Sequence, residues 1–335
     1  MKRLLRPKVL IPVVLGVALI VALLAFADVK KVAAAMASFQ KGYLLLFFVL
    51  MLVYEGVRGV QWHFLLGAMD IRVPLRTQIF TFAAGEVTKS MPVGNYFQNY
   101  LLQQSQGTDF GRSSAATTMI VLTEVVASLA GVVVLGIGQW TDVARPVIVI
   151  GSAAFLLGAW TYHKLRHAGQ APRWVREHAI TRQAMSELRQ FREGAATLLH
   201  IRVLAIQTLL GALYLVVAGA ALYAVMRGLD DTHVSFGHVQ AVYFFSLAFS
   251  LIVPIPVDIG VLEISGTTAF IAVGVARNTA VSAVLMNRIL SIGSSLVIAL
   301  VALVFLRDEF RAAIRERPDQ GPSAEARPSV DVAGR

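Results

Sequence analysis

The chain has 335 residues and a net charge of +10, with 56% hydrophobic residues, only 15% charged residues and a mean hydropathy of +0.67. A soluble domain carries about a quarter charged residues, so the composition excludes an ordinary soluble globular protein and reads as a polytopic membrane protein. There is no cysteine, which excludes disulfides, thiolate metal sites and a cysteine nucleophile. The basic excess falls between and beyond the apolar runs, as the positive-inside tendency predicts. No nucleic-acid partner is expected.

The first apolar run, residues 9–27, follows Lys2, Arg3, Arg6 and Lys8. It is longer than the 7–15 residues of about the usual signal-peptide core, so an uncleaved first span with a cytoplasmic N-terminus is expected. Residues 28–41 follow outside, although Lys30, Lys31 and Lys41 run against that side. Residues 42–68 return. Glu55 and Arg58 lie three apart on one face of this span, where they can pair with each other or line a pathway. Trp62 and His63 suit an interfacial belt.

Residues 77–102 are too polar for a plain span. They read as two short pieces, 77–89 and 94–102, broken at Pro92 and Gly94, with Glu86 and Lys89 three apart on the first. A re-entrant hairpin entered from the cytoplasm is expected, the alternative being an amphipathic surface helix. Residues 113–138 form a span interrupted by Glu124, and 146–162 go back in. The basic stretch 163–202 carries Met185, Leu188, Phe191, Ala195 and Leu198 at three- and four-residue steps. That pattern predicts an amphipathic helix on the membrane surface with its arginines toward anionic lipid.

Residues 203–226 exit, and 239–253 go in. The chain then breaks at Pro254, Pro256 and Gly260, with Asp258 and Glu263 in the break, and returns over 264–275. Proline removes a helical donor and clashes one turn back. Broken helix and carboxylates at membrane depth are tolerated only inside protein or around a wet cavity, so this stretch suggests a site for a polar ligand. A loop at the membrane surface is the alternative. Residues 279–306 cross with Arg288 in their first half, and 307–335 read as a polar, disordered cytoplasmic tail.

The architecture expected is all-α: about six full spans plus two re-entrant helical hairpins, or eight segments if the hairpins are counted as spans. Residues 1–306 form one integral membrane domain, with a first repeat over 42–138, a basic linker over 163–202 and a second repeat over 203–306. Each repeat has a full span, a Pro/Gly break, a short apolar piece and a span with one buried charge, Glu124 or Arg288. The two hairpins enter from opposite sides in this topology, the inverted-repeat arrangement of many secondary transporters. Chance likeness between apolar segments is the alternative. An unpaired charge at the bilayer centre costs about 2.5–3.5 kcal/mol. Arg58, Glu86, Lys89, Glu124, Asp258, Glu263 and Arg288 are therefore the candidate substrate-binding residues.

Pro254, Gly260, Glu263 and Arg288 resemble the second-half signature of the flippase-like transmembrane family named for the membrane region of lysylphosphatidylglycerol synthases. Arg58 with Trp62, Pro92, Gly94 and Glu124 fit its first-half signature, whereas Asn95 and Gln98 stand where that family has Glu and Arg. The likeness covers roughly residues 9–306. It implies two pseudo-symmetric halves with re-entrant hairpins that move lipids between leaflets. The aminoacyltransferase domain of the lipid-modifying members is not expected here, so the chain would be the membrane module alone.

No nucleophile elbow, nucleotide loop or dinucleotide fingerprint is present. That points away from an enzyme, and no cofactor or metal is called for. The function expected is lipid translocation or lipid-binding transport in a bacterial inner membrane, with both termini cytoplasmic. Its partners would be lipids with anionic or zwitterionic head groups, and a homo-oligomer is open to it. The alternatives are a membrane-embedded enzyme, or a scaffold, of surface-lipid, polyisoprenoid or hopanoid metabolism.

Overall fold

A computed structural model of the chain describes residues 28–88, 94–136, 179–229, 233–252 and 260–306. The expected spans 9–27 and 146–162, the tail 307–335, and Lys89, Pro92, Pro254, Pro256 and Asp258 lie outside the described residues. Among the described residues the fold is all-helical. It has ten α-helices, one 3-10 turn and no strand.

A nine-residue helix comes first, α1 (Val29–Ala37), where the sequence reading has only an external loop. Asp28 caps it, its carboxylate accepting from the Lys30 and Lys31 N–H groups at 3.1 and 3.3 Å. The Asp28 N–H donates to Asn278 Oδ1 at 3.1 Å, which ties this helix to the last one. Four helices then follow as α2 (Lys41–Ala68), α3 (Leu75–Thr88), α4 (Phe97–Gln106, entered through the 3-10 turn Gly94–Tyr96) and α5 (Phe110–Gly136). After α6 (Ala179–Leu198) the same order of long, short, short and long recurs. These are α7 (Ile201–Gly228), α8 (Phe236–Ile252), α9 (Val261–Ala272) and α10 (Arg277–Phe305).

Four of these helices, Lys41–Ala68, Phe110–Leu135, Ile201–Gly228 and Arg277–Phe305, are long and apolar enough to cross a membrane. Their large apolar side chains stay open to the outside, among them Leu209 at 71% and Phe305 at 82% exposed. A surface of that kind needs lipid rather than water around it. The short helices differ. With 14, 10, 17 and 12 residues, α3, α4, α8 and α9 extend about 21, 15, 26 and 18 Å at the helical rise. Over the described residues, none equals the roughly 30 Å of a hydrocarbon core. Each short helix packs on its sequence neighbour, α3 on α4 and α8 on α9.

The two four-helix units pack reciprocally. Helix α2 lies along α7, the first long helix of each unit. Helix α3 packs on α10 of the other unit, and α8 packs on α5. The close approach of α7 and α8 depends on Gly219, since a Cβ there would sit 2.0 Å from Gln240 Oε1. Gln240 instead donates to the Leu215 carbonyl at 3.2 Å. One buried core gathers Tyr54, Tyr214, Phe244 and Phe270 from α2, α7, α8 and α9. A second gathers Trp62, Leu66, Met69, Leu102 and Leu198.

Helix α6 packs against the helix bundle. Its Leu198 is fully buried in the second core, and Phe191 and Ala195 pack against that core. Glu187 accepts the Gly111 N–H at 2.6 Å, and Gln190 donates to Asp109 at 3.1 Å. Part of the apolar stripe, Phe191, Ala195 and Leu198, is thus covered by the helix bundle, whereas Leu188 stays 44% exposed. Arg189 points away from the bundle, its side chain 82% exposed and paired with Glu193 at 3.0 Å.

Candidate functional site: a charged cavity between the two units

Arg58, midway along α2, is buried and gathers three helices around its guanidinium. Nη1 lies 3.3 Å from Glu86 Oε1 on α3, and Nη2 lies 3.7 Å from Glu124 Oε1 on α5. Nη1 also donates to the Tyr54 hydroxyl at 3.2 Å. The cation sits 5.6 and 5.8 Å from the Tyr54 and Tyr214 ring centroids, and Tyr214 brings in α7. A guanidinium is suited to this work because its donors radiate in a plane. Two carboxylates, a phenol and two aromatic faces offset the desolvation of a buried charge. Of the two sequence alternatives for the pair on α2, Arg58 reaches across to α3 and α5. Glu55 accepts from Ser295 Oγ on α10 at 2.7 Å, linking the two units.

The second cluster is built at the start of α9. Gly260 has φ +92°, a conformation that only glycine adopts without strain. Its N–H donates to Glu263 Oε2 at 2.6 Å. This is the return half of a capping box; glycine has no side chain to supply the other half. The carboxylate lies in the first helical turn, where the helix dipole favours negative charge. Its other oxygen lies 3.3 Å from Arg288 Nε on α10. The two approach as an ion pair without hydrogen-bond alignment. Glu263 is fully buried, whereas the Arg288 side chain keeps 22% of its surface and opens onto a cavity.

That cavity, of about 240 Å³, lies between the units. Arg288, Asn287, Ser291 and Ser295 line it from α10, Glu86 from α3, Tyr54 from α2 and Tyr243 from α8. Glu124 is held at Arg58, and Arg288 pairs within its own unit. The two residues at equivalent places in the repeats therefore do not pair with each other; Glu86 is the carboxylate that shares the cavity with Arg288. A larger, mostly apolar groove of about 430 Å³ runs between α2, α3 and α10, and Glu86 and Ser295 line both spaces.

Of the candidate site residues, Arg58, Glu86 and Glu124 come together, as do Glu263 and Arg288, and the cavity brings Glu86 to Arg288. Gly94 opens the 3-10 turn before α4, where its carbonyl accepts from Thr88 Oγ1 at 3.2 Å. Gln98 donates to Thr117 Oγ1 at 3.1 Å and is buried, a neutral group at a position where the family signature has a cation. Sequence reasoning missed Tyr54, Tyr243, Asn287, Ser291 and Ser295 as cavity residues. A signal for the last three was present: Asn287, Ser291 and Ser295 recur every four residues along one face of an apolar helix.

The profile of the family described as "Lysylphosphatidylglycerol synthase TM region" matches residues 13–312. The chain belongs to that family. It is a multi-pass membrane protein of a lipid-related family, and membrane lipids are its interacting partners. No curated protein matches the chain.

Proposed function

We propose that this chain carries lipids between the leaflets of a bacterial inner membrane, with the polar head group passing through the cavity between the units. The observation that carries this reading is that Arg288 and Glu86 both line one cavity between the units. A guanidinium there suits a phosphate, and a carboxylate on the other wall suits a cationic end, so an anionic or zwitterionic head group fits. The reciprocal packing of α3 on α10 and α8 on α5 supports reading the units as inverted repeats with α3–α4 and α8–α9 as re-entrant hairpins. Alternating access at a repeat interface is the transport mode that such a build serves. The basic stretch 163–202 and the tail then lie in the cytoplasm.

The test is transfer of phospholipid by the purified full chain in vesicles. Fluorescent phosphatidylethanolamine and phosphatidylglycerol analogues are placed in both leaflets and the outer-leaflet label is bleached with an impermeant reductant. Bleaching beyond the outer half, dependent on the protein and lost in Arg288→Ala, supports translocation. Recovery of a chemically new lipid species would favour the membrane-embedded enzyme instead. Bleaching that stops at the outer half, with lipid unchanged, would reject both.

A further inference from the structure

We infer that the apolar groove between α2, α3 and α10 is a binding site for a hydrocarbon chain of the same phospholipid whose head group lies at Arg288. This rests on the lipid-carrying reading above. The groove is continuous with the polar cavity, since Glu86 and Ser295 stand on the wall of both. An amphiphile laid across that threshold puts polar atoms on the charged side and methylenes on the other.

The groove is open along its length toward the outside of the bundle: its rim is formed by exposed apolar side chains, Leu52 at 44%, Val60 at 56%, Leu75 at 62% and Ile79 at 45%, and its deep side by buried Ala83 and Ala299. The deep side is also where Glu55 accepts the Ser295 hydroxyl.

The floor explains why space exists there. Gly56 and Gly59 lie on the groove face of α2. A Cβ at Gly56 would meet nothing within 4 Å, and one at Gly59 would touch only the Phe82 ring at 3.8 Å. Gly131, Gly211 and Gly219 sit where a side chain of another helix approaches closely. These two glycines instead leave room that no described residue fills. Glycine is less favourable than alanine inside a helix, and the open face these two leave on α2 suits an occupant from the membrane. A chain with one methylene-rich end fits an almost wholly apolar lining.

Gly59→Leu and Gly56→Leu fill the groove while leaving the head-group cavity intact, and both raise helix propensity. The experiment uses the full chain in vesicles of phosphatidylethanolamine and phosphatidylglycerol containing a phospholipid with a photoreactive diazirine in its acyl chain. Adducts are mapped by mass spectrometry. Expected are adducts at Ile79, Phe82 and Ile298 that excess unlabelled phospholipid competes away, and that fall about tenfold in Gly59→Leu, the loss of about two buried methylenes. Adducts at the freely exposed Leu209 and Phe305 should be unchanged and not competed. Groove adducts that resist competition, or that persist in both leucine variants, overturn the inference. So does a lower melting temperature in both variants, which would mean that another segment of the chain fills the groove. The two readings fail separately: competed groove labelling without any lipid transfer removes translocation and keeps the chain site, and transfer untouched by both leucine variants does the reverse.

Discussion

Arg288 and Glu263 stand 3.3 Å apart where α9 meets α10, and they share the contact unequally: the carboxylate is fully buried while the guanidinium looks into a cavity. Glu263 is already anchored by the Gly260 N–H, so it orients Arg288 rather than the reverse. Removing Arg288 strands a buried charge, which costs about 3–5 kcal/mol when the pair is truly dry and less beside a hydrated cavity. Arg288→Ala should therefore lower the melting temperature and abolish lipid transfer. Glu263→Gln keeps the shape and should cost less stability while still impairing transfer. The double variant should be less destabilised than the sum of the two, a coupling that a double-mutant cycle of thermal unfolding reads directly. Additive losses would mean that the pair is not coupled.

Arg58 should behave differently. Its cation is enclosed by Glu86, Glu124, Tyr54 and Tyr214, and it ties four helices. Arg58→Ala leaves two carboxylates facing each other in a buried site, so a loss of about 3–5 kcal/mol or more is expected, seen as poor expression and a lower melting temperature. Arg58→Lys should rescue little, because an ammonium cannot present a planar fork to two carboxylates at once. An Arg58→Ala protein that melts like the parent would show the cluster to be solvated.

Much of this build was legible beforehand. The four long helices were visible because uncharged apolar runs have few alternative explanations. The charges were flagged because membrane depth makes each one costly. Their partners were not legible. Whether Arg58 turns to Glu55 or to Glu86 and Glu124 is decided by how α3 and α5 pack on α2, and local spacing carries no trace of that. Glu55 finding Ser295 at 240 residues' separation is the same kind of fact. The amphipathicity of α6 reports an apolar face and says nothing of which part of it the bundle covers. Helix α1 was missed because nine residues between two spans give a periodicity too short to weigh.

Orientation in the bilayer can be read by chemistry, since the chain contains no cysteine. Single cysteines placed at Gln170 and Glu325 should both be protected from an impermeant thiol reagent in intact cells and both react after permeabilisation. The expectation follows from the Lys/Arg content of residues 163–202 and from the even number of crossings between the two positions in the six-span, two-hairpin topology. Protection of one and labelling of the other would require one hairpin to cross fully.

The turn before α9 offers the sharpest separation of site from scaffold. Gly260 and Gly274 share a left-handed φ, +92° and +91°, so alanine at either should introduce strain, on the order of 1–2 kcal/mol. A Cβ at Gly274 would meet nothing within 4 Å, and no cavity residue depends on it. Gly260 carries the N–H that holds Glu263, and through Glu263 the position of Arg288. Gly274→Ala should then lower the melting temperature and leave transfer per folded molecule intact. Gly260→Ala should lower the melting temperature and also reduce transfer. Equal transfer in the two variants would show that the N-terminus of α9 is scaffold and that Arg288 keeps its place without it.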